Sequence, residues 1–475
     1  MVRQNREYVK HKIDYFEATD EKFSSRSGLL LLSRYIQTIG ITSLLAERFS
    51  FLKKNKKGTP LWSIFHQLIL FFIDGTDLSM RYLDHLKKDP SYAGTIETDD
   101  KVMLSSHAAK RFFGSVSHVR VWLFRKVLQT LFLWRLNIEK PQIIKIGLDT
   151  MVLDNDDSLK KEGVEPTYKK VKGFQPLQMF WGRYMIDAIF RNGKAHSNHG
   201  NHVQRVVTHT VQLIRRHYRK DVPIVFLADA GFFDESFLRL CEEKLQVGII
   251  LGGKMYGNLT ERIEQMPDDA FFEYTKGRKS WIYTELEDGR KSWSTSWRTI
   301  YAKPISDDEG QIVFEYARPE TIIYTNIGMD NEITTSILKL HSSEGEEVKT
   351  ISPQAIINDY HMRARDELVN RALKDFGTEH LPFKRFTSNA AYYYLMAIAF
   401  FIFEAFKKDA AGPTVEITWY AHTFRRKFLD FAGQIVSSGR RLKIKINASL
   451  IERLDISRVW ENSITAPPIT PLAIQ

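Results

Sequence analysis

The spacing of apolar residues predicts helices in the first third of the chain. From about Gly28 to Asn137 apolar residues recur at helical intervals, in segments such as GLLLLSRYIQTIG and TPLWSIFHQLILFFIDG that are separated by Gly and Pro. A later apolar run, from Tyr392 to Phe403, is shorter than the ~18 residues that a membrane span needs. We therefore expect a helical N-terminal region and, near the end of the chain, a buried helix.

The middle of the chain has patterns typical of β-strands. The segments PQIIKIGLDTMVLD, FQPLQMFWGRYMIDAIFRNG and DVPIVFLADAGF are apolar or β-branched runs, with helical segments between and after them. From about residue 253 to residue 345 helical spacing largely disappears, and turn signals such as EDG and DEG separate strand-like runs. The pattern predicts an α/β core with a mixed sheet flanked by helices, interrupted by a β-rich insertion.

Composition and charge narrow the class of protein. The chain has 475 residues, of which 43% are hydrophobic and 26% charged, as in ordinary globular proteins. Its single cysteine, Cys241, excludes an intrachain disulfide and a cysteine-based zinc site, and the N-terminal residues lack the apolar core of a signal peptide, so we expect a cytoplasmic protein. A net charge of +11 favours a polyanionic partner.

The segment YHMRARDELVNRALKDFG, from Tyr360 to Gly377, is rich in charge and has helical spacing. Ser352 followed by Pro353 is a good start signal and Gly377 a good stop, so we expect Tyr360 to Phe376 to be helical throughout. At ~100° per residue, one face of this helix lies within about 60° of arc. That face carries Tyr360, Arg363, Glu367 and Lys374. The opposite, apolar face carries Met362, Leu368, Val369, Ala372, Leu373 and Phe376. The alternative is a solvated surface with a weak Arg363/Glu367 ion pair.

The spacing Y-x2-R-x3-E-x6-K resembles the signature of bacterial insertion-sequence transposases, the DDE group 1 type with a ribonuclease-H-like catalytic domain. Three further segments also resemble this family: YKKVKGFQPLQ from Tyr168, FKRFTSNAAYYYLMAIAFFIFEAF from Phe383, and RRKFLDFAGQIVSSGRRLKIKI near the C-terminus. The resemblance thus covers most of the chain. It implies an α/β ribonuclease-H-like core and a DNA transposase that cleaves transposon ends and transfers the strands into target DNA.

In that family the glutamate is the third of three catalytic acids. The first is an aspartate within the first core strand and the second an aspartate at the end of a later strand, so the resemblance implies Asp149, Asp229 and Glu367 as catalytic residues and metal ligands. We prefer Asp149 as the first acid because the neighbouring acidic residues occupy a polar loop; these are Asp154, Asp156 and Asp157. The alternatives are a sheet-end carboxylate paired to a Lys or Arg for Asp149, and a turn cap for Asp229.

The chemistry explains why three acids would be gathered. Mg²⁺, for which Mn²⁺ would substitute, takes oxygen ligands, and two such ions can hold the attacking and leaving oxygens of a phosphodiester displacement. Tyr360, Arg363 and Lys374 would then contact DNA.

The β-rich insertion carries three tryptophans among Lys and Arg residues: Trp281, Trp293 and Trp297. In the resembled family such an insertion is typical of cut-and-paste elements that pass through a DNA hairpin, so one tryptophan would bind DNA by stacking on a flipped base. The alternative is that they are core residues of a small β domain.

The resemblance gives each region a role. Residues 1–138 would be a helical DNA-binding region, 139–252 and 346–410 the two parts of the catalytic core, 253–345 the insertion, and 411–475 a basic C-terminal region. The basic clusters there, RRK from Arg425 and GRRLKIKI from Gly439, are either contacts to a polyanion or solvated surface.

The expected partners are the terminal inverted repeats and target DNA, bound by a homodimer in a synaptic complex in the bacterial cytoplasm at the nucleoid, with no membrane partner. Two alternatives are a metal-dependent nuclease of the same fold without strand transfer, and a DNA-binding protein with a retired catalytic site. His196, His199 and His202 have the spacing of a triple-histidine site, although loop histidines like these are more often not metal ligands.

Overall fold

In the computed structural model, the described residues are 15, 17–53, 58–157, 160–196, 202–290, 293–306, 320–343, 349–412, 414–439 and 441–470. They form these α-helices in chain order: α1 (Leu29–Ile39), α2 (Ile41–Arg48), α3 (Leu61–Asp74), α4 (Tyr82–Lys88), α5 (Pro90–Thr95), α6 (Ser106–Gly114), α7 (Trp122–Glu139), α8 (His202–His217), α9 (Glu235–Arg239), α10 (Gly257–Glu264), α11 (Glu332–Ser343), α12 (Pro353–Met362), α13 (Ala364–Phe376), α14 (Phe386–Phe406), α15 (Ala421–Phe424), α16 (Ala448–Arg453) and α17 (Ile456–Thr465).

The same residues form these β-strands: β1 (Lys22–Ser24), β2 (Ile144–Thr150), β3 (Leu153–Asp154), β4 (Glu165–Pro166), β5 (Lys172–Phe174), β6 (Leu177–Trp181), β7 (Tyr184–Ile189), β8 (Ile224–Ala228), β9 (Gly248–Gly252), β10 (Phe272–Lys276), β11 (Lys279–Asp288), β12 (Trp297–Pro304), β13 (Thr321–Thr325), β14 (Gly433–Ser438) and β15 (Arg441–Lys445). The predicted N-terminal helices and the predicted hairpin that became β6 and β7 are both present.

The central sheet has nine strands in the order β10-β11-β12-β13-β9-β8-β2-β6-β7. Strands β2, β6 and β7 form an antiparallel meander, and β8 and β9 then run parallel to β2 after the crossover helices α8 and α9. Three antiparallel strands followed by two parallel ones, in the spatial order β9-β8-β2-β6-β7, is the ribonuclease-H-like arrangement. The predicted core fold, a mixed sheet flanked by helices, is therefore confirmed.

The predicted β-rich insertion does not build a sheet of its own. Strand β13 pairs antiparallel with β9, with Ile323 opposite Gly252, and β12, β11 and β10 continue the central sheet from there. The expectation that helices largely disappear in this region is also wrong, because α10 and α11 lie in it. The DEG turn signal at residues 308–310 lies outside the described residues.

Helix α14 is the central buried helix that the apolar run predicted. It packs against α3, α7 and β7, and nearly all its side chains are buried. Among the described residues, the segment Phe386–Ala411 is long and apolar enough to cross a membrane, but 89% of its apolar window lies inside the protein. This burial is that of a core helix, and contacts of Phe401 with Tyr184 and of Tyr393 with Gln178 place α14 along β7 and β6.

The two ends of the chain pack together. Strand β1 pairs with β14, and α17 packs against α1. Arg425, the first residue of the RRK cluster, is buried and donates to the backbone carbonyls of Phe72, Ile73 and Phe376 at 2.9, 2.8 and 2.7 Å. For this arginine both the solvated-surface and the polyanion interpretations are wrong: it satisfies the last carbonyl groups of α3 and α13, whereas Arg426 is exposed.

Candidate active site

Asp149 is the second-to-last residue of β2, an interior strand of the nine-stranded sheet. One carboxylate oxygen, Oδ1, accepts from the backbone N–H of Thr150 at 2.7 Å, and Oδ2 accepts from the Asn370 side-chain amide at 2.5 Å. No lysine or arginine of the described residues forms an ion pair with it, so the alternative of a paired sheet-end carboxylate does not hold.

Asp229 follows the parallel neighbour of that strand. Leu148 of β2 is opposite Ala228 of β8, so Asp149 and Asp229 are the next residues of two adjacent strands at the same sheet edge. Asp229 Oδ1 accepts from the Gly231 N–H at 2.9 Å and caps a single helical turn. The predicted cap is therefore present, and it leaves the second oxygen, Oδ2, available for another ligand.

The two aspartates influence each other. Burial, together with the nearby negative charge of Asp229, raises the pKa of Asp149 to about 6, although the Thr150 N–H, Arg363 and Asn370 act in the opposite direction. The residues that the sequence offered as rivals for the first acid have ordinary turn roles: Asp154 Oδ1 accepts from the Asp156 N–H at 2.9 Å. Asp149 is thus the acid on which burial and the charge of Asp229 act together.

Glu367 lines a cleft of about 380 Å³ together with Asp149. The other residues lining this active-site cleft are Thr150, Met151, Val152, Tyr168, Lys169, Arg363, Asn370, Arg371 and Lys374. The Glu367 side chain is 65% exposed and pairs with Arg371 at 3.2 Å, and Lys374 pairs with Glu379 at 2.8 Å. Arg363, Glu367 and Lys374 therefore share one cleft with Asp149.

The donor set suits a hard cation only in part. Among the described residues, no group of three or more His, Cys, Asp or Glu side chains is arranged to hold a metal ion. Two adjacent aspartates, one of them with a raised pKa, nevertheless form a place where a cation would relieve repulsion. The Asn370 Oδ1 is buried without a hydrogen-bond partner and adds a neutral oxygen beside them. The residues present fit a divalent cation if Glu367 leaves Arg371 and turns toward Asp149.

The predicted single helix from Tyr360 to Phe376 is wrong in one respect. It is interrupted at Arg363, whose N–H donates to the Tyr360 carbonyl at 3.1 Å, so α12 ends and α13 begins there. The cause is tertiary packing, because α12 packs on β8, β9 and β12 while α13 packs on β2 and α14. The start signal at Ser352, whose hydroxyl accepts from the Ala355 N–H at 3.3 Å, is confirmed.

The break places Tyr360 beside Asp229 and apart from the cleft lined by Glu367. A Cβ on Gly252 would lie 2.5 Å from the Tyr360 hydroxyl and 2.8 Å from the Ala230 nitrogen, so only glycine fits at the end of β9. The Arg363 guanidinium lies 5.5 Å from the centre of the Tyr360 ring, and burial raises the pKa of that tyrosine. Leu368, predicted on the apolar face, is 49% exposed, because it lies next to the polar face of α13.

The three tryptophans of the insertion are placed differently from one another. Trp297 is 2% exposed in the hydrophobic core, and Trp281 is 6% exposed between the rings of Tyr274 and His361. Burial leaves neither ring free to stack on a base, so for these two the structure favours the core interpretation and corrects the DNA-binding one.

Trp293 is half-buried against Phe233, with ring centres 5.4 Å apart, close to the turn that follows Asp229. Its DNA-binding role stays a prediction. Of the three histidines with triple-histidine spacing, His199 lies outside the described residues, and His196 and His202 belong to no group of three possible metal ligands among the described ones.

Among the cleft residues that sequence reasoning missed are Asn370, Tyr168 and Lys169. Asn370 lies one helical turn after Glu367, so its i+3 spacing was the available signal. Tyr168 and Lys169 belong to the YKKVKG segment, which carried part of the family resemblance but no assigned role.

The fold and the cleft together define a ribonuclease-H-like protein with acidic residues gathered where β2 and β8 end. The family model for transposase DDE domain group 1 matches residues 10–462, so the chain belongs to that transposase family. No curated protein matched the chain.

A similar solved structure is the cryo-EM structure of the piggyBac transposase synaptic complex with hairpin DNA. The identity is 13% and the TM-score 0.37, over 94% of this chain and 86% of that chain. At this level of similarity we transfer no residue between the two proteins, and the narrower assignment to bacterial insertion sequences stays a prediction.

Proposed function

We propose that the protein is a cut-and-paste transposase that cleaves DNA at the ends of its element and joins the freed strands to target DNA. The observation that carries this proposal is the juxtaposition of Asp149 and Asp229 at adjacent strand ends, with Glu367 in the same cleft as Asp149. Family membership supports the reaction class.

The chain's own residues have distinct tasks in this reaction. Asp149 and Asp229, joined by Glu367, would hold Mg²⁺ or Mn²⁺, which when bound supplies Lewis-acid stabilisation of the phosphodiester displacement. Arg363 and Lys374 are suited to contact the phosphates beside the scissile bond, Arg363 in a bidentate manner and Lys374 as a point charge.

The bond changes follow the usual order for strand transfer. Water attacks the phosphorus at the element's end, a new P–O bond forms, and the bond to the 3′ oxygen breaks to give a free 3′ hydroxyl. That hydroxyl attacks the phosphodiester of the opposite strand, which joins the two strands in a hairpin and expels the 3′ oxygen of the flanking DNA. Water then opens the hairpin and frees the 3′ hydroxyl again, and this hydroxyl attacks a target phosphodiester and expels a 3′ oxygen of the target strand. No redox partner is needed in any of these steps.

A second cleft supports DNA as the partner. This cationic cleft, of about 600 Å³, is lined by Lys126, Arg191 and Arg205 with three histidines, and no Asp or Glu lines it among the described residues. Arg125 also lines the cleft, but its guanidinium is paired with the buried Asp187 at 2.6 Å. Ile189, the last residue of β7, lines this cleft. Ile189 is opposite Leu177 of β6, which is opposite Thr150 of β2. The cleft therefore lies at the same sheet edge as Asp149, two strands or about 10 Å away. Such a surface suits a phosphate backbone.

The remaining parts of the proposal rest on the reaction itself. Two element ends must be held together, so we propose a homodimer on DNA, acting at the nucleoid in the bacterial cytoplasm without a membrane partner. Terminal inverted repeats and target DNA would be the two substrates. The helical region before β2 and the basic C-terminal region would share the contacts to the repeats.

The test is a joining assay. Labelled duplexes copied from the two flanks of the gene are incubated with the protein, Mg²⁺ and a supercoiled target plasmid, and products are separated on denaturing gels. Joined products are expected. Cleavage without joining would instead support a nuclease of the same fold, and binding without cleavage would support a DNA-binding protein with a retired site.

A further inference from the structure

An exposed aromatic ring lies in the active-site cleft, although the tryptophans predicted for that task lie elsewhere. The Tyr168 residue is 61% exposed and lines the cleft with Asp149 and Glu367. Burial of its hydroxyl end and the charges of Asp149 and Asp229 raise the pKa of Tyr168. Tyr168 therefore lies near both acids, while much of the residue faces solvent.

A tight turn fixes the backbone that carries this ring. The Thr167 N–H and hydroxyl both donate to the Val171 carbonyl, at 2.9 and 2.8 Å, and the Lys170 N–H donates to the Thr167 carbonyl at 3.0 Å. Lys170 has φ of 62°, in the left-handed region that closes such turns. Strands β4 and β5 flank the turn and pair with each other. A platform fixed in this way loses little conformational entropy when a ligand binds.

The surroundings of the ring suit a nucleic-acid base with its phosphate. The Lys169 ammonium lies over the Tyr168 ring, 5.9 Å from its centre. A flat, exposed ring is a stacking surface for any base, and a neighbouring cation pairs with the phosphate attached to it. Exposed single aromatic residues are common, but this one lies within a cleft that also holds acids and cations suited to a phosphodiester.

We propose that Tyr168 stacks on an unpaired base next to the scissile phosphate, with Lys169 contacting the adjoining phosphate. This proposal rests on the proposed function and deepens it, since it names the residue that holds the distorted DNA. Trp281 and Trp297 are buried, so Tyr168, in the turn between β4 and β5, is better placed for this role than either of them.

The test compares Tyr168→Ala with Tyr168→Phe, which keeps the ring and removes only the hydroxyl. Phe272→Ala is the matched control, because Phe272 is a 55% exposed aromatic residue on β10 at the far edge of the central sheet. The probe is a duplex copied from the flank of the gene, with 2-aminopurine placed in turn at each position around the cleavage site. Binding and fluorescence are measured in EDTA, so that no cleavage occurs.

Quenching of 2-aminopurine at one or two positions is expected for the wild type, Tyr168→Phe and Phe272→Ala. Tyr168→Ala should lose this quenching and bind about 5- to 100-fold more weakly, the range expected for one stacked base. An abasic site at the quenched position should abolish the difference between the wild type and Tyr168→Ala.

Unchanged quenching in Tyr168→Ala, or equal losses in Tyr168→Ala and Tyr168→Phe, would overturn the stacking role. The joining assay with wild-type protein separates the two proposals: a wild type that joins DNA while Tyr168→Ala binds normally refutes only the stacking role, whereas a wild type that never cleaves refutes the proposed function.

Discussion

Replacing Asp149 by asparagine should stabilise the protein at high pH in the absence of metal. The pKa of this carboxyl rises from 3.8 to about 6 on folding, mainly because the group is buried. The folded state therefore binds the proton more tightly than the unfolded state, and stability falls as the pH rises from about 4 to about 6. Above that window the ionised group costs about 3 kcal/mol, at ~1.4 kcal/mol for each pKa unit.

The asparagine variant has no buried negative charge at this position, but it loses one hydrogen bond. Asp149 accepts from two donors, the Thr150 N–H and the Asn370 amide, whereas an asparagine oxygen and nitrogen can satisfy one of them and oppose the other. The opposed donor costs roughly 1 kcal/mol. Asp149→Asn should thus be about 2 kcal/mol more stable than the wild type at pH 8 and about 1 kcal/mol less stable near pH 4.

Urea unfolding at both pH values, followed by tryptophan fluorescence without divalent cations, measures this change of sign. Asp330→Asn, at an exposed aspartate, is the control and should shift neither midpoint. Adding Mg²⁺ at 100 times its dissociation constant should stabilise the wild type by about 2.7 kcal/mol and leave Asp149→Asn unchanged. A variant that is less stable than the wild type at both pH values would refute the reasoning.

Three further predictions concern neighbouring residues. Asn370→Ala should raise the Mg²⁺ concentration needed for half-maximal stabilisation about tenfold, because Asp149 loses the amide that orients it. An unchanged midpoint in a Mg²⁺ titration would argue against that role. Exchanging both Lys126 and Arg205 for Ala should lower the slope of log affinity for duplex DNA against log salt by about 2, measured by fluorescence anisotropy, and an unaltered slope would exclude the cationic cleft as a phosphate site. Arg425→Ala should lower the urea midpoint by an amount equivalent to about 3 kcal/mol or more, since three backbone carbonyls lose their donor, while Arg426→Ala should not; equal effects would contradict the buried role.

The sequence predicted those parts of the site that depend on local pattern. The family resemblance indicated Asp149 and Asp229, each in or after an apolar run, and parallel pairing of the two runs brings their ends together. Glu367 was found by its spacing to Arg363 and Lys374, because these residues share one face of α13. The buried helix α14 followed from a continuous apolar run.

The features that sequence reasoning missed depend on contacts between distant segments. Nothing in the residues of β13 indicates that it pairs with β9, so the insertion looked like a separate unit. The break at Arg363 contains no Gly or Pro and arises from two different packing surfaces. Trp281 and Trp297 lie among charged residues in sequence, yet Trp281 is covered by Tyr274 and His361, and Trp297 lies in the hydrophobic core.

The most direct test of the central claim is single-turnover cleavage of labelled flank duplexes in Mg²⁺ by the wild type and by Asp149→Asn, Asp229→Asn and Glu367→Gln. Circular dichroism of each variant shows that it is folded. The account predicts cleavage by the wild type and a loss of at least about 1,000-fold in rate for every one of the three variants, because each removes one acid from a shared set. Wild-type rates in the Glu367→Gln variant would contradict the claim that the three acids act together.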